Sequence, residues 1–102
     1  MQLTDEDNGR TVKLPEGTQS ITIRLLETPT SGYLWDVEQT PANVTVVSKN
    51  LEKSTAKAAG ASGIRIFNFR PEAEPVTGTL KLRNCRPWDS NDVIASYTLT
   101  FE

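Results

Sequence analysis

The 102-residue chain contains no histidine and a single cysteine, Cys85. Without imidazole, the Ser-His-Asp and Cys-His nucleophilic mechanisms are excluded, as are the commonest general base and most zinc sites. With one thiol there is no intrachain disulfide, so two layers of structure have to be held by packing alone. Cys85 itself reads as a small apolar filler at a strand end. Basic residues are not in excess: 11 Lys and Arg stand against 13 Asp and Glu, a net charge of -2. That balance lacks the cationic cluster whose counterion release drives nucleic-acid binding. No apolar run approaches the ~20 residues needed to cross a bilayer. The first ten residues, Met1 to Arg10, are polar and acidic, unlike a signal peptide, and Asp5-Glu6-Asp7 reads as a solvated terminus. The cellular location is left open.

What is present is alternation. Residues Thr11 to Leu14 and Ser20 to Leu26 carry Val12, Leu14, Ile21, Ile23 and Leu25 at every second position, with Pro15 to Thr18 as a turn between them. The expectation is a hairpin. A third strand runs from Tyr33 to Asp36, a fourth from Val44 to Leu51, and a fifth from Ile64 to Phe69. In the fifth, Phe67 and Phe69 share one face and Ile64 and Ile66 the other, which predicts a bulge or burial on both sides. Strands six, Thr79 to Asn84, and seven, Val93 to Phe101, complete the set. Leu51 to Ala59 has helical composition without an apolar stripe and reads as a loop. About seven short strands and no helical period predict one all-β domain over residues 1–102, an immunoglobulin-like antiparallel sandwich with Trp35 as its buried tryptophan. A domain of this length buries a sufficient core unaided, and a monomer is expected.

Successive loops of an antiparallel sandwich alternate between its two ends. The loops after strands two, four and six therefore share an end: Thr28 to Gly32, Glu52 to Gly63, and Cys85 to Asp92. In the first, Pro29 stiffens the chain and Gly32 is free to take positive φ, which places the Thr30 and Ser31 hydroxyls outward at a tip. In the third, Arg86-Pro87-Trp88 joins a stiffening proline to the two residue types most enriched at binding hot spots. The plain alternatives are an ordinary connecting turn for the first and a Trp88 folded back on the sandwich edge for the third. No cofactor or metal site is expected. The carboxylates nearest the cluster, Asp89 and Asp92, do not form a facing pair of the kind glycoside hydrolysis needs, so an enzyme is not expected.

Thr28-Pro29-Thr30-Ser31-Gly32, Gly60-Ala61-Ser62-Gly63 and Arg86-Pro87-Trp88, in that order, resemble the three loop motifs of the chagasin-family inhibitors of papain-like cysteine proteases. The family pattern is Asn-Pro-Thr-Thr-Gly, Gly-x-Gly-Gly and Arg-Pro-Trp. The resemblance extends through Tyr33, Trp35 and Phe67-Asn68-Phe69. It departs at Thr28 for Asn, Ser31 for Thr and Ser62 for Gly. It implies a reversible, tight-binding inhibitor whose loops wedge into the active-site cleft. Thr30 and Ser31 would lie over the catalytic cysteine, Trp88 and Arg86 on the primed side, and Gly60 to Gly63 at the non-primed subsites. The alternative on the same fold is a carbohydrate-binding or adhesion module with Trp88 and Tyr33 as stacking platforms.

Overall fold

The structure is a computed structural model and describes residues 1–28, 31–53 and 63–102. Its strands are β1 (Gln2–Thr4), β2 (Thr11–Val12), β3 (Ile21–Glu27), β4 (Leu34–Gln39), β5 (Val44–Lys53), β6 (Gly63–Pro71), β7 (Gly78–Arg86) and β8 (Asp89–Phe101). They form two four-stranded sheets, ordered β1-β3-β6-β5 and β2-β8-β7-β4. The inner faces follow the alternation in the sequence. Ile21, Ile23 and Leu25 of β3 and Phe67 and Phe69 of β6 meet Leu80 and Leu82 of β7 and Tyr97, Leu99 and Phe101 of β8 in one cluster. Each such side chain contributes roughly 1.5–3 kcal/mol on burial, which is how the sheets hold together while Cys85 stays a buried free thiol.

The expected first hairpin does not form. Strand β2 is only two residues long and pairs in parallel with β8 in the other sheet, Thr11 opposite Thr100 and Val12 opposite Phe101. Strand β3 pairs instead with β6, antiparallel, and with β1, parallel. Pro15 to Thr18 is a real turn, closed by Thr18 N–H to the Pro15 carbonyl at 3.2 Å, but it carries the chain from one sheet to the other. Alternation reports which face is buried; the partner is decided by which neighbour offers a free ladder of hydrogen bonds.

Strand β1 has no counterpart among the seven expected strands and lies in the stretch read as a polar, acidic N-terminus. Leu3 is buried in the core, and β1 lies beside β3 with Gln2 opposite Thr22. Thr4 caps a single 3-10 turn, Asp5–Asp7, in a reciprocal box with Asp7. Asp5 and Glu6 are exposed as expected, while Asp7 is partly buried.

In β6 it is the Phe67 and Phe69 face that meets the core, with Ile64 and Ile66 half-buried outside. The irregularity is in its partner, β5, between Val46 and Ser48. Trp35 is half-buried and packs against the core rather than being enclosed by it. Strand β5 runs on to Lys53; the remainder of the loop read from Glu52 to Gly63, residues 54–62, lies outside the described residues.

Candidate functional site

The strand registers bring the loop ends together. Glu27 at the end of β3 pairs with Gly63 at the start of β6, and Lys53 at the end of β5 pairs with the same glycine. In the other sheet Leu34, the first residue of β4, is opposite Cys85, and Arg86 is opposite Asp89 across the β7-β8 turn. The connections after β3, β5 and β7 thus leave from one end, as the alternation of loops predicts.

Within the first loop, Pro29 and Thr30 lie outside the described residues. The flanks are held by a short set of bonds. Ser31 N–H donates to the Thr28 carbonyl at 3.0 Å, Ser31 Oγ donates to the same carbonyl at 2.7 Å, and Tyr33 N–H donates to Ser31 Oγ at 3.2 Å. The Ser31 hydroxyl, expected to face outward, is spent bracing its own turn. This is the brace that a serine three residues after an exposed carbonyl makes readily. Gly32 has φ +82°, where a side chain is strained.

Behind this loop is a buried charge pair. The Glu27 side chain is fully buried, and Arg65 Nη2 donates to its Oε2 at 2.8 Å. Glu27 Oε1 accepts from Trp35 N–H at 2.7 Å and from Arg65 Nε at 3.2 Å. Arg65 Nη1 also donates to the Lys49 carbonyl at 3.1 Å, and Trp35 Nε1 donates to the Leu26 carbonyl at 2.9 Å. Four strands, β3 to β6, are pinned at one point. Sequence reasoning missed this pair, although a signal was present. Glu27 continues the inward phase of Ile21, Ile23 and Leu25, and Arg65 that of Phe67 and Phe69, so opposite charges occupy two inward positions.

The third loop is tighter than read. Strand β8 begins at Asp89 rather than Val93, so the stretch from Cys85 to Asp92 is a β-hairpin with only Pro87 and Trp88 between its strands. Trp88 is not folded back, its surface being 71% exposed. Arg86 lies against it: its guanidinium carbon is 5.6 Å from the Trp88 ring centroid and 4.9 Å from that of Tyr33, one cation in contact with two aromatic rings. Asp92 closes the group. Tyr33 Oη donates to its carboxylate at 3.0 to 3.1 Å, and Arg86 Nε lies 2.9 Å from Asp92 Oδ2. Arg86 Nε nevertheless lacks a directed hydrogen bond, so its attraction to Asp92 is coulombic. The Arg86 guanidinium is held above its ordinary pKa first by Tyr33 and then by the charges of Asp92 and Asp89, and stays charged. Tyr33 follows the first loop directly, ahead of β4, and Asp92 lies on β8 just past the third, so this knot joins the two loops. The Trp88 ring edge continues the seam: a Cβ on Gly32 would sit 3.8 Å from Trp88 Cη2.

Of the second loop, Gly60, Ala61 and Ser62 lie outside the described residues. Gly63 is not a loop residue but the first of β6, and it is buried. A Cβ there would meet Leu51 Cδ1 at 2.9 Å and the Glu52 carbonyl at 3.3 Å, so a larger residue fits only if the Leu51 side chain moves aside. Among the described residues no cluster of His, Cys, Asp and Glu could hold a metal, and no helix is long and apolar enough to cross a membrane.

Among solved structures, the chain is similar to the cysteine protease inhibitor EhICP2 of Entamoeba histolytica, with a TM-score of 0.79 and 23% identity over 98% of this chain and 91% of that one. It is also similar to amebosin, with a TM-score of 0.70 and 24% identity over 99% of this chain and 94% of that one. At these identities the likeness establishes a shared fold. A search of curated proteins finds no match. Residues 15–101 match the family described as chagasin family peptidase inhibitor I42, a span that includes both strands of the Arg86-Pro87-Trp88 hairpin and the whole Tyr33-Arg86-Asp92 knot, and the chain therefore belongs to the chagasin family of peptidase inhibitors.

Proposed function

We propose that the protein is a reversible inhibitor of papain-like cysteine peptidases, and that the end bearing Thr28 to Gly32, Gly60 to Gly63 and Arg86 to Trp88 is the wedge that enters the active-site cleft. The observation that carries this reading is the joining of the first and third loops through Tyr33, Arg86 and Asp92 beside an exposed Trp88. A large aromatic surface held in water is costly to keep, and it favours association when a partner covers it. Because stacking and the ion pair fix the hairpin before any partner arrives, little ordering entropy is lost on binding. Pro87 and the braced turn at Ser31 act in the same direction.

No covalent chemistry is needed. The first loop, through Thr30 and the flanking Ser31 and Gly32, would cover the catalytic cysteine of the peptidase and exclude substrate. Trp88 would stack on the primed side. The family match over residues 15–101 and the shared fold with the cysteine protease inhibitor EhICP2 support the target class.

The test is a titration of the protein into papain and into cathepsin L, read as residual hydrolysis of a fluorogenic peptide. Inhibition at sub-micromolar concentration, reversed on dilution, is expected. Full activity of both peptidases at micromolar protein, together with binding to a glycan array, would replace this reading with the carbohydrate-binding one.

A further inference from the structure

A cleft of about 250 Å³ opens beside the third loop, and its walls include Arg83, Arg86, Lys49, Arg65, Asp36 and Pro87. Four cations therefore face one carboxylate. Three of the four are matched: Lys49 by Asp36 at 3.1 Å, Arg65 by Glu27 at 2.8 Å, and Arg86 by Asp92 at 2.9 Å. Arg83 has no carboxylate within 4 Å among the described residues. Its register neighbour on β4 is Asp36, yet that carboxylate is committed to Lys49 and to Val37 N–H at 2.8 Å. Arg83 Nε is buried and has no hydrogen-bond acceptor. The cleft is below the usual ~300–1,000 Å³ of small-molecule pockets, so it fits the head of one side chain better than a cofactor or sugar.

We propose that this cleft is a second recognition site, set beside the third loop, which receives an Asp or Glu carboxylate from the rim of the docked peptidase. The proposal rests on the inhibitor reading. The occupant is identified by charge and by position. The unmatched cation calls for an anion, the planar guanidinium suits a carboxylate in particular, and the walls shared with Arg86 and Pro87 set the cleft next to the hairpin that carries Trp88. The loop tips supply shape; Arg83 adds a charge contact that selects among peptidases by what stands on their rims.

Inhibition constants are to be measured against papain and cathepsin L for wild type, Arg83→Gln, Asp36→Asn and Lys81→Gln, at two salt concentrations, with melting curves for each. Expected are a ~10-fold weakening for Arg83→Gln against at least one of the two peptidases, reduced at high salt, and a tightening for Asp36→Asn, which releases Lys49 into the cleft. Lys81→Gln is the control for net charge and is expected within ~2-fold of wild type. Equal inhibition by wild type and Arg83→Gln against both peptidases overturns the second site and leaves the inhibitor reading intact. Equal weakening by Lys81→Gln also overturns it, since the effect is then a long-range field. A wild type that inhibits neither peptidase removes both readings.

A measurement on the unmutated protein keeps the test valid if Arg83→Gln fails to fold. In 15N-labelled wild type, the Arg83 Nε–H resonance is expected to shift on adding at least one of papain and cathepsin L, and to remain unmoved by millimolar acetate or phosphate; no shift with either peptidase overturns the second site. A saturating shift with the free anions alone would make the cleft a small-anion site and overturn the assignment to a peptidase carboxylate.

Discussion

Two charged groups stand close together at the loop end of the sandwich, and they differ mainly in burial. Glu27 and Arg65 pair behind the first loop, with side chains 0% and 15% exposed. Arg86 and Asp92 pair beside Trp88, with side chains 40% and 39% exposed. In the first pair, every hydrogen bond ends on a backbone or side-chain group of another strand, so the charges act as an internal pin. In the second, water screens the attraction and the pair contributes little to stability. Its effect is on shape, because it fixes a cation against two rings at the surface proposed to meet the peptidase. The same chemistry therefore serves folding in one place and recognition in the other.

The largest effect expected from breaking that comparison is at Glu27. Glu27→Ala leaves the Arg65 guanidinium and the Trp35 N–H without their acceptor in a buried site, at a cost of about 3–5 kcal/mol. A fall in melting temperature of more than ~10 °C is expected for a domain of this size. A drop of only ~1–2 °C would mean that water replaces the carboxylate and that the pin is not structural. The next effect is at Trp88 and falls on binding alone. Trp88→Ala is expected to weaken inhibition by about two orders of magnitude, roughly 3 kcal/mol, with the melting temperature unchanged because the ring is already 71% exposed. A large loss of stability in this variant would move Trp88 from the binding surface into the fold.

Asp92→Asn tests the surface pair more finely. It keeps the size of the side chain and an acceptor for Tyr33 Oη while removing the charge beside Arg86. A ~5-fold loss of inhibition, about 1 kcal/mol, is expected, carried by faster dissociation and with a melting temperature near wild type. If Asp92→Asn and Glu27→Ala lose stability alike, burial is not what separates the two groups.

How much of this was legible in the sequence follows the same division between face and partner. The inward residues of β3, β6, β7 and the C-terminal half of β8 follow from period-two alternation, which is local. The pairing of β2 with β8 and of β1 with β3 does not, because parallel neighbours are chosen by contacts far along the chain. In β1, one buried leucine, Leu3, among polar residues gives too short a pattern to register. At the site, Trp88 and Pro87 were legible as types suited to recognition. The role of Arg86 was not, since its contact with both Tyr33 and Trp88 depends on two loops meeting. Glu27 and Arg65 were legible only as opposite charges at positions in phase with the inward apolar residues.

The smallest effect lies away from both groups and isolates a pH dependence that leaves the wedge alone. Asp7 accepts from Thr4 N–H at 2.9 Å and pairs with Arg10 at 2.7 Å. These two contacts, the backbone bond first, hold its carboxyl below the ordinary range of an aspartate. A carboxylate with a lowered folded-state pKa contributes stability that is fully present above its unfolded value and is lost as pH falls through the folded one. Asp7→Asn is therefore expected to lower the melting temperature slightly at pH 6, for a loss of about 0.5–1 kcal/mol. The gap between variant and wild type should narrow as both are taken to pH 3 and below. The turn is tied to β8 through Asn8, which bonds Ser96 and Thr98 at 3.1 and 2.9 Å, well along the strand from Trp88. Inhibition at pH 6 should thus be the same for both proteins. A gap in melting temperature that stays constant with pH would assign the loss to packing rather than charge, and weaker inhibition by Asp7→Asn would show that the N-terminal turn and the loop end are coupled through β8.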